Sequence, residues 1–442
     1  MARFLVAGAG VAGAASARAL LARGAAVTVL DRADSAELSK LADAGARVVV
    51  SATVEPGLLD GVSDVVLSPV FAPHHPVAVA ALTAGLDVYS EPELAWRLRG
   101  PDAPPWLAVT GTNGKTTTTT MLAAMLAAAG LRTAALGNIG EPLVDAQGYD
   151  VLAVELSSFQ LHWSRDLAPQ AGALLNLADD HLDWHGDFDA YARAKTAIWR
   201  GGVAVGNLDD ARVADLLSTV DGRWVGFTLG APKPGQFGVV DGMLVDGDVE
   251  LAPAGIVRPK GAHNVANALA AAALARVYGV PPDAVRAGLA SYEPQGHRNA
   301  FVATVNGVDY VDDSKATNPH AAYASLTAYP RIVWIAGGQL KGVDVAELVS
   351  SVAGRLAGAV LLGVDRADVA AALARHAPEV PVVDVSTTDD GAMGEVVRAA
   401  TALARPGDTV LLAPAAASLD MFASYARRGD AFAAAVRELA GA

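Results

Sequence analysis

The sequence has 442 residues, 52% of them hydrophobic, with 47 acidic against 33 basic side chains, a net charge of −14 and no cysteine. So acidic a balance excludes a general nucleic-acid binder, because phosphate backbones call for a basic surface. The missing cysteines exclude disulfides, thiolate nucleophiles and cysteine metal sites.

At roughly 150 residues per domain, the length predicts about three domains. No uncharged apolar run reaches the ~18–20 residues that span a bilayer, so no membrane insertion is expected. Arg3 is followed by a short apolar run that enters a glycine loop, unlike a signal peptide. A soluble, cytoplasmic protein is expected.

Residues 1–92 form a first block. A strand over 4–7 leads through a glycine loop into a helix over 12–22 and a strand over 26–30, with alternation continuing through DVVLSP. This is a βαβ pattern, hence a parallel sheet. In the loop VAGAGVAG, Gly8, Gly10 and Gly13 spell G-x-G-x-x-G, and Asp31 and Arg32 fall at the next strand end. Alone, this fingerprint reads as a dinucleotide site of an oxidoreductase. The proline-rich EPELAWRLRGPDAPP marks the crossing to a second block, 93–298.

The second block opens with the strand WLAVTGT and a long helix after Lys115. The strands TAALG, DVLAVELSS and AGALLNL follow, again a parallel α/β pattern. Residues 237–251 read as a small antiparallel appendage with Asp-Gly turns. GAHNVANALAAAALARVYG reads as a helix ending at Gly279. The third block, 299–442, begins with a hairpin, FVATVNGVDYVDDS. The strands RIVWIAGG, GAVLLGV, PVVDV and TVLLAP follow, separated by helices. The fold class expected is α/β, with three domains that each carry a mainly parallel sheet.

The chemistry concentrates in a few stretches. GTNGKTT, 111–117, follows a strand and opens a helix, so successive backbone N–H groups can cradle a polyphosphate. Lys115 would reach its outer phosphates and Thr116 would hold Mg²⁺. The strict phosphate-loop pattern is not met, since Val109 stands where the first glycine belongs. Glu155, near the end of a buried strand, is placed to bind the same Mg²⁺.

Residues 179–189 hold five aspartates and two histidines, His181 among them. They suit a hard cation or, equally, a solvated acidic loop. Lys195 lies on the next helix. A protonated lysine ~4 Å from Mg²⁺ would be repelled by roughly 8 kcal/mol at an effective dielectric of about 20. Lys195 therefore faces water, pairs with the aspartates, or has lost its charge by modification. His263, Asn264 and Asn267 share one helix, the two asparagines on one face, where they either cap it or read an adenine edge. Arg298 at the second boundary, Asp313, Lys315 and Thr317 after a strand, and Lys341 and Ser418 at strand ends complete the set.

Together these stretches resemble the Mur ligase family, ATP-dependent amide ligases of peptidoglycan precursor synthesis. The resemblance runs through nearly the whole chain in order: GTNGKTT, GNIG at 137–140, ELSSFQL, DDHLDWH, the AK of ARAKT, HNVAN, HR, DDSKATN and ASLDMF. DSKATN and SLD-x-F point within the family to the members that add D-glutamate.

The resemblance implies three domains: a Rossmann-like UDP-substrate domain (1–92), a P-loop ATP domain (93–298), and a Rossmann-like domain for the amino acid and ATP (299–442). Gly111, Thr112, Asn113, Gly114, Lys115, Thr116, Thr117, Asn267, Arg298 and Asp313 would contact ATP. Two Mg²⁺ ions would be held by Thr116, Glu155, His181 and Lys195, the last as a carbamate. Lys115, Glu155, His181 and Lys195 would form the catalytic set.

Val11, Asp31, Arg32, Asn138, Gln160 and His181 would meet UDP-N-acetylmuramoyl-L-alanine. Lys315, Thr317, Lys341 and Ser418 would receive D-glutamate. The G-x-G-x-x-G loop then faces the UDP handle, and a monomer is expected. Departures from the family pattern are Val70 in place of a glycine, alanine just before Ser418, and Tyr425 where phenylalanine is frequent.

Overall fold

The computed structural model describes residues 2–387, 389 and 391–441. It is an α/β structure with three sheets.

The first sheet consists of β1 (Arg3–Ala7), β2 (Ala26–Asp31), β3 (Arg47–Val50), β4 (Asp64–Leu67) and β5 (Asp87–Tyr89). All are parallel, in the order β3-β2-β1-β4-β5. The helix Val11–Ala22 is rich in alanine and packs close to β1. A Cβ on Gly13 would sit 1.8 Å from the Gly8 carbonyl oxygen, and Gly8 itself has φ +92°. Both glycines are therefore demanded by the strand-to-helix turn itself.

The second sheet takes nine strands: β6 (Trp106–Thr110), β7 (Ala135–Gly137), β8 (Leu152–Glu155), β9 (Ala171–Leu174), β10 (Val203–Asn207), β11 (Trp224–Phe227), β12 (Phe237–Val240), β13 (Met243–Asp246) and β14 (Val249–Pro253). Their order is β14-β13-β12-β11-β10-β9-β6-β8-β7. The chain runs from β6 out to β7, returns to β8, then crosses to β9 on the other side of β6. Strand β6 thus stands at the point where strand order reverses, where α/β sheets open a crevice at their carboxyl edge. Only β12–β14 pair antiparallel. Asp241 and Gly242 both have positive φ in the first of their turns, as a two-residue hairpin requires.

The third sheet holds β15 (Ala300–Val305), β16 (Val308–Asp312), β17 (Ile332–Gly337), β18 (Leu356–Leu362), β19 (Val382–Asp384) and β20 (Thr409–Leu412). Its order is β15-β16-β20-β17-β18-β19, with only β15 antiparallel. The Asn306-Gly307 turn joins β15 to β16 with positive φ at both residues. Trp334 on β17 is fully buried and donates its indole N–H to the Ala413 carbonyl at 2.7 Å.

The structure divides into two compact units. One runs through residue 256 and takes up 266–291, so it contains the first two sheets. The other comprises 257–265 and the chain from 292 onward. The sequence boundary expected at 92 falls inside a well-packed helix, Glu91–Leu98, whose first five residues are buried.

Candidate active site

In the first unit, β6 ends at Thr110 and the helix Lys115–Ala128 begins five residues later. Gly114, at its N-cap, has φ +83°, and a Cβ there would lie 2.4 Å from Asn267 Oδ1. Two things therefore require glycine: the left-handed turn, and the asparagine against it. Asn113 N–H donates to Asn176 Oδ1 at 2.8 Å, and Asn176 Nδ2 returns a bond to the Asn113 carbonyl at 3.1 Å. Thr112 Oγ1 lies 2.8 Å from the Tyr191 hydroxyl and accepts the Ala178 N–H at 3.0 Å. The loop is thus fixed by the segment after β9.

Two ammonium groups meet at this loop. Lys115 Nζ donates to the carbonyls of Gly111 and Thr112, each at 2.9 Å. Lys195 Nζ donates to the same Gly111 carbonyl at 2.7 Å. Lys195 comes from the helix Phe188–Thr196 and is buried. Burial and the neighbouring Lys115 charge push its ammonium far below the usual lysine range, against the opposing pull of Asp180 and Glu155. Of the three alternatives left by the sequence, water exposure is ruled out.

Glu155 closes β8. One carboxylate oxygen accepts the Thr116 hydroxyl at 2.7 Å and the other accepts Asn138 Nδ2 at 2.8 Å. Asn138 is oriented by its own backbone, whose N–H donates to the Glu155 carbonyl at 2.9 Å. Hard oxygen donors from Thr116 and Glu155 beside a glycine-bounded loop suit a Mg²⁺–phosphate pair.

His181 has φ +55° and its ring packs 4.7 Å from that of Phe159. Burial, with Lys115 and Lys195 nearby and Asp180 opposing, holds its imidazole below the usual value. The rest of the acidic stretch disperses. Asp187 caps its helix through Ala190 N–H, and Asp179 pairs with Arg212 at 3.2 Å. Among the described residues no group of three or more His, Asp or Glu converges as a metal cluster. Gln160 serves as a helix cap: its Oε1 accepts the Ser157 N–H at 2.9 Å in a capping box.

At the first sheet, the Asp31 carboxylate accepts the Ala9 N–H at 2.6 Å and the Arg32 N–H at 2.7 Å, bracing the glycine loop. Arg32 and Val11 are exposed beside it.

In the second unit, Asp313 follows β16 and is buried. It accepts Asn299 N–H at 3.1 Å and the Ser325 hydroxyl. Burial lifts its carboxyl to about 6. Arg298 adjoins Asn299. Lys315 Nζ lies 4.1 Å from the centre of the Tyr425 ring, a cation–π contact that the tyrosine keeps as a phenylalanine would. Thr317 N–H donates to the Lys315 carbonyl at 2.8 Å. Lys341, in a left-handed conformation, follows β17, and Ser418 follows β20. Gln339 and Ala417 exchange backbone hydrogen bonds at 2.9 and 3.0 Å, joining the two loops.

Arg428 escaped the sequence reading. It is buried, and burial pulls its guanidinium down to about 10. Its donors reach Ser314 Oγ and the Ser314, Ala416 and Gly337 carbonyls, 2.9–3.5 Å away. Only an arginine in the run YARRG hinted at it.

The chain, an α/β structure of three sheets with a glycine-bounded loop at the reversal point of its central sheet, belongs to the Mur ligase family. Residues 109–275 match the Mur ligase middle domain, and 297–416 match the Mur ligase, glutamate ligase domain. Relatives from Streptomyces avermitilis and Thermobifida fusca, each named UDP-N-acetylmuramoylalanine--D-glutamate ligase, are both 54% identical to it. The first covers 98% of this chain and 97% of its own length, the second 99% of each. Among solved structures, the UDP-N-acetylmuramate-alanine ligase MurC of Thermotoga maritima aligns over 99% of this chain and 100% of its own. Its TM-score is 0.61 at 17% identity, a likeness of fold alone.

Proposed function

We propose that this protein is the ATP-dependent amide ligase that joins D-glutamate to UDP-N-acetylmuramoyl-L-alanine, acting as a cytoplasmic monomer in peptidoglycan precursor synthesis. The observation that carries this is the 54% identity, over nearly the full length of both chains, with relatives bearing that name. The reaction implied has two stages. The L-alanine carboxylate attacks the γ-phosphorus of ATP, giving an acyl phosphate and ADP. The D-glutamate amine then attacks the acyl carbon, and phosphate leaves from the tetrahedral intermediate.

The protein's part is positioning and charge neutralisation. Residues 111–117 would offer backbone N–H groups to the phosphates, and Lys115 would turn from its own loop carbonyls to meet them. Thr116 and Glu155 would hold one Mg²⁺, with Asn138 fixing the second Glu155 oxygen. His181 and Lys195 would hold another. The ions would shield the transferred phosphoryl group and the carboxylate that receives it.

A buried amine with a depressed pKa is the form that adds to CO₂, yielding a carbamate and a proton. Lys195 modified in this way becomes an anionic oxygen ligand and relieves its clash with Lys115. Asn267, Arg298 and Asp313 would complete the ATP contacts. Val11, Asp31, Arg32, Asn138 and Gln160 would serve the UDP substrate, Gln160 through groups its capping role leaves available. Lys315, Thr317, Lys341 and Ser418 would take the D-glutamate carboxylates. The three-domain division at 92 and 298 belongs to the same proposal.

Phosphate release with ATP and UDP-N-acetylmuramoyl-L-alanine is expected only when D-glutamate is added. Release with another amino acid and not with D-glutamate would reassign the enzyme within its family. Lys195→Ala is expected to abolish ligation, and small carboxylic acids to restore part of it. Full activity in the unrescued variant would remove the carbamate.

A further inference from the structure

The loop after β18, residues 363–365, contains none of the residues assigned to substrate. Yet it is bonded to both loops that carry Lys341 and Ser418. Asp365 Oδ2 accepts the N–H of Leu340, the residue before Lys341, at 2.7 Å. Asp365 N–H donates to the Gly338 carbonyl at 3.1 Å. On the other side, Asp420, two residues after Ser418, accepts the Val364 N–H through Oδ2 at 2.9 Å. The packing leaves no slack: a Cβ on Gly363 would lie 2.5 Å from Gly338 and 2.7 Å from Asp420 Oδ2. Leu340 is buried while Lys341 is exposed and holds φ +56°. The bond to Asp365, with the Val343 N–H donated to the Leu340 carbonyl at 3.1 Å, therefore fixes both peptides of the residue before Lys341, a strained position with an exposed side chain.

We propose that Asp365, with Asp420 at the other end of the strut, is a positioning residue of the ligase. It sets the spacing and direction of Lys341 relative to Ser418 without touching the amino acid. A bidentate grip on a dicarboxylate needs its two donors at a fixed separation, and the Gln339–Ala417 pair and the Arg428 guanidinium tie the loops only at 337–339 and 416–417, short of Lys341 and Ser418. A further tie, through 363–365, reaches the residues on either side of that span, Leu340 and Asp420. This inference rests on the assignment of Lys341 and Ser418 to D-glutamate.

The test is steady-state kinetics with each substrate varied in turn. Asp365→Ala removes the acceptor for Leu340 N–H and is expected to raise KM for D-glutamate roughly 10–100-fold, the scale on which ångström misplacement acts. KM for ATP and for the UDP substrate should stay within about twofold. Asp365→Asn keeps an acceptor oxygen and is expected to restore KM for D-glutamate to within about threefold of the parent.

Should Asp365→Ala fail to fold, Asp420→Ala breaks the strut at its other end and must give the same D-glutamate-selective rise. Equal rises for all three substrates, no rise, or an asparagine variant as poor as the alanine one would overturn the proposal. Lys341→Ala and Ser418→Ala are run alongside. If neither raises KM for D-glutamate, the assignment beneath the proposal has failed; if they do and the strut variants do not, the proposal alone has failed.

Discussion

Glu91 shows how much a single carboxyl can hide from a sequence. It is buried at the start of its helix and accepts the Val144 N–H at 2.7 Å, with no ion-pair partner among the described residues. Burial lifts its carboxyl to about 7 from an ordinary 4.5. An acid raised in the folded state binds more protons there than in the unfolded chain, so its contribution to stability falls as pH rises through that window. Below about pH 4 both states are protonated and the penalty vanishes; above about pH 7 it is complete. Glu91→Gln keeps the acceptor and removes the penalty. Unfolding titrations should show the variant gaining on the parent between pH 5 and pH 8, by on the order of 1–3 kcal/mol. A pH-independent difference would refute the assignment. Nothing local distinguishes Glu91 from a solvent-facing acid of a helix first turn, because its partner lies 53 residues away.

The same helix carries the argument to the scale of elements. Glu93 is fully buried and accepts three successive backbone N–H groups, from Arg165, Asp166 and Leu167, and a bond from Arg97 Nε. A stretch with prolines and alternating charge reads as a crossing between blocks. In the structure its first turn is a brace, Glu91 and Glu93 facing inward because backbone N–H groups, not a surface, receive them. Glu93→Ala would strand those donors and is expected to cost roughly 3 kcal/mol or more, measured by denaturant unfolding. A cost below about 1 kcal/mol would show that water takes over the bonds.

The elements that were legible share one property: their signals are local. The phosphate loop, the Asp-Gly and Asn-Gly hairpins and the helix closed by Gly279 each declare themselves within a few residues, and each stands where expected. Gln160, expected from the sequence to meet substrate, caps a helix in the structure, a role that its motif did not announce.

Across the whole molecule, the assigned phosphate ligands from 111–117 lie in the first unit and the assigned D-glutamate ligands in the second. A non-hydrolysable ATP analogue with Mg²⁺ should therefore slow amide hydrogen exchange over 111–117, and Lys115→Ala should remove most of that protection. Exchange there unaffected by the nucleotide would refute the loop's role.

Arg428 adds a consequence in time. Its guanidinium comes from the helix Tyr425–Gly441 and grips the loops that follow β16, β17 and β20. Those loops carry Lys315, Lys341 and Ser418. During synthesis the strands of the third sheet emerge first, yet the loops at their ends lack this clamp until the last helix has been made and docked. The loops proposed to receive the amino acid are thus among the latest parts of the protein to mature. A nascent chain can complete the loop 111–117 while the loops that carry Lys315, Lys341 and Ser418 still lack their clamp.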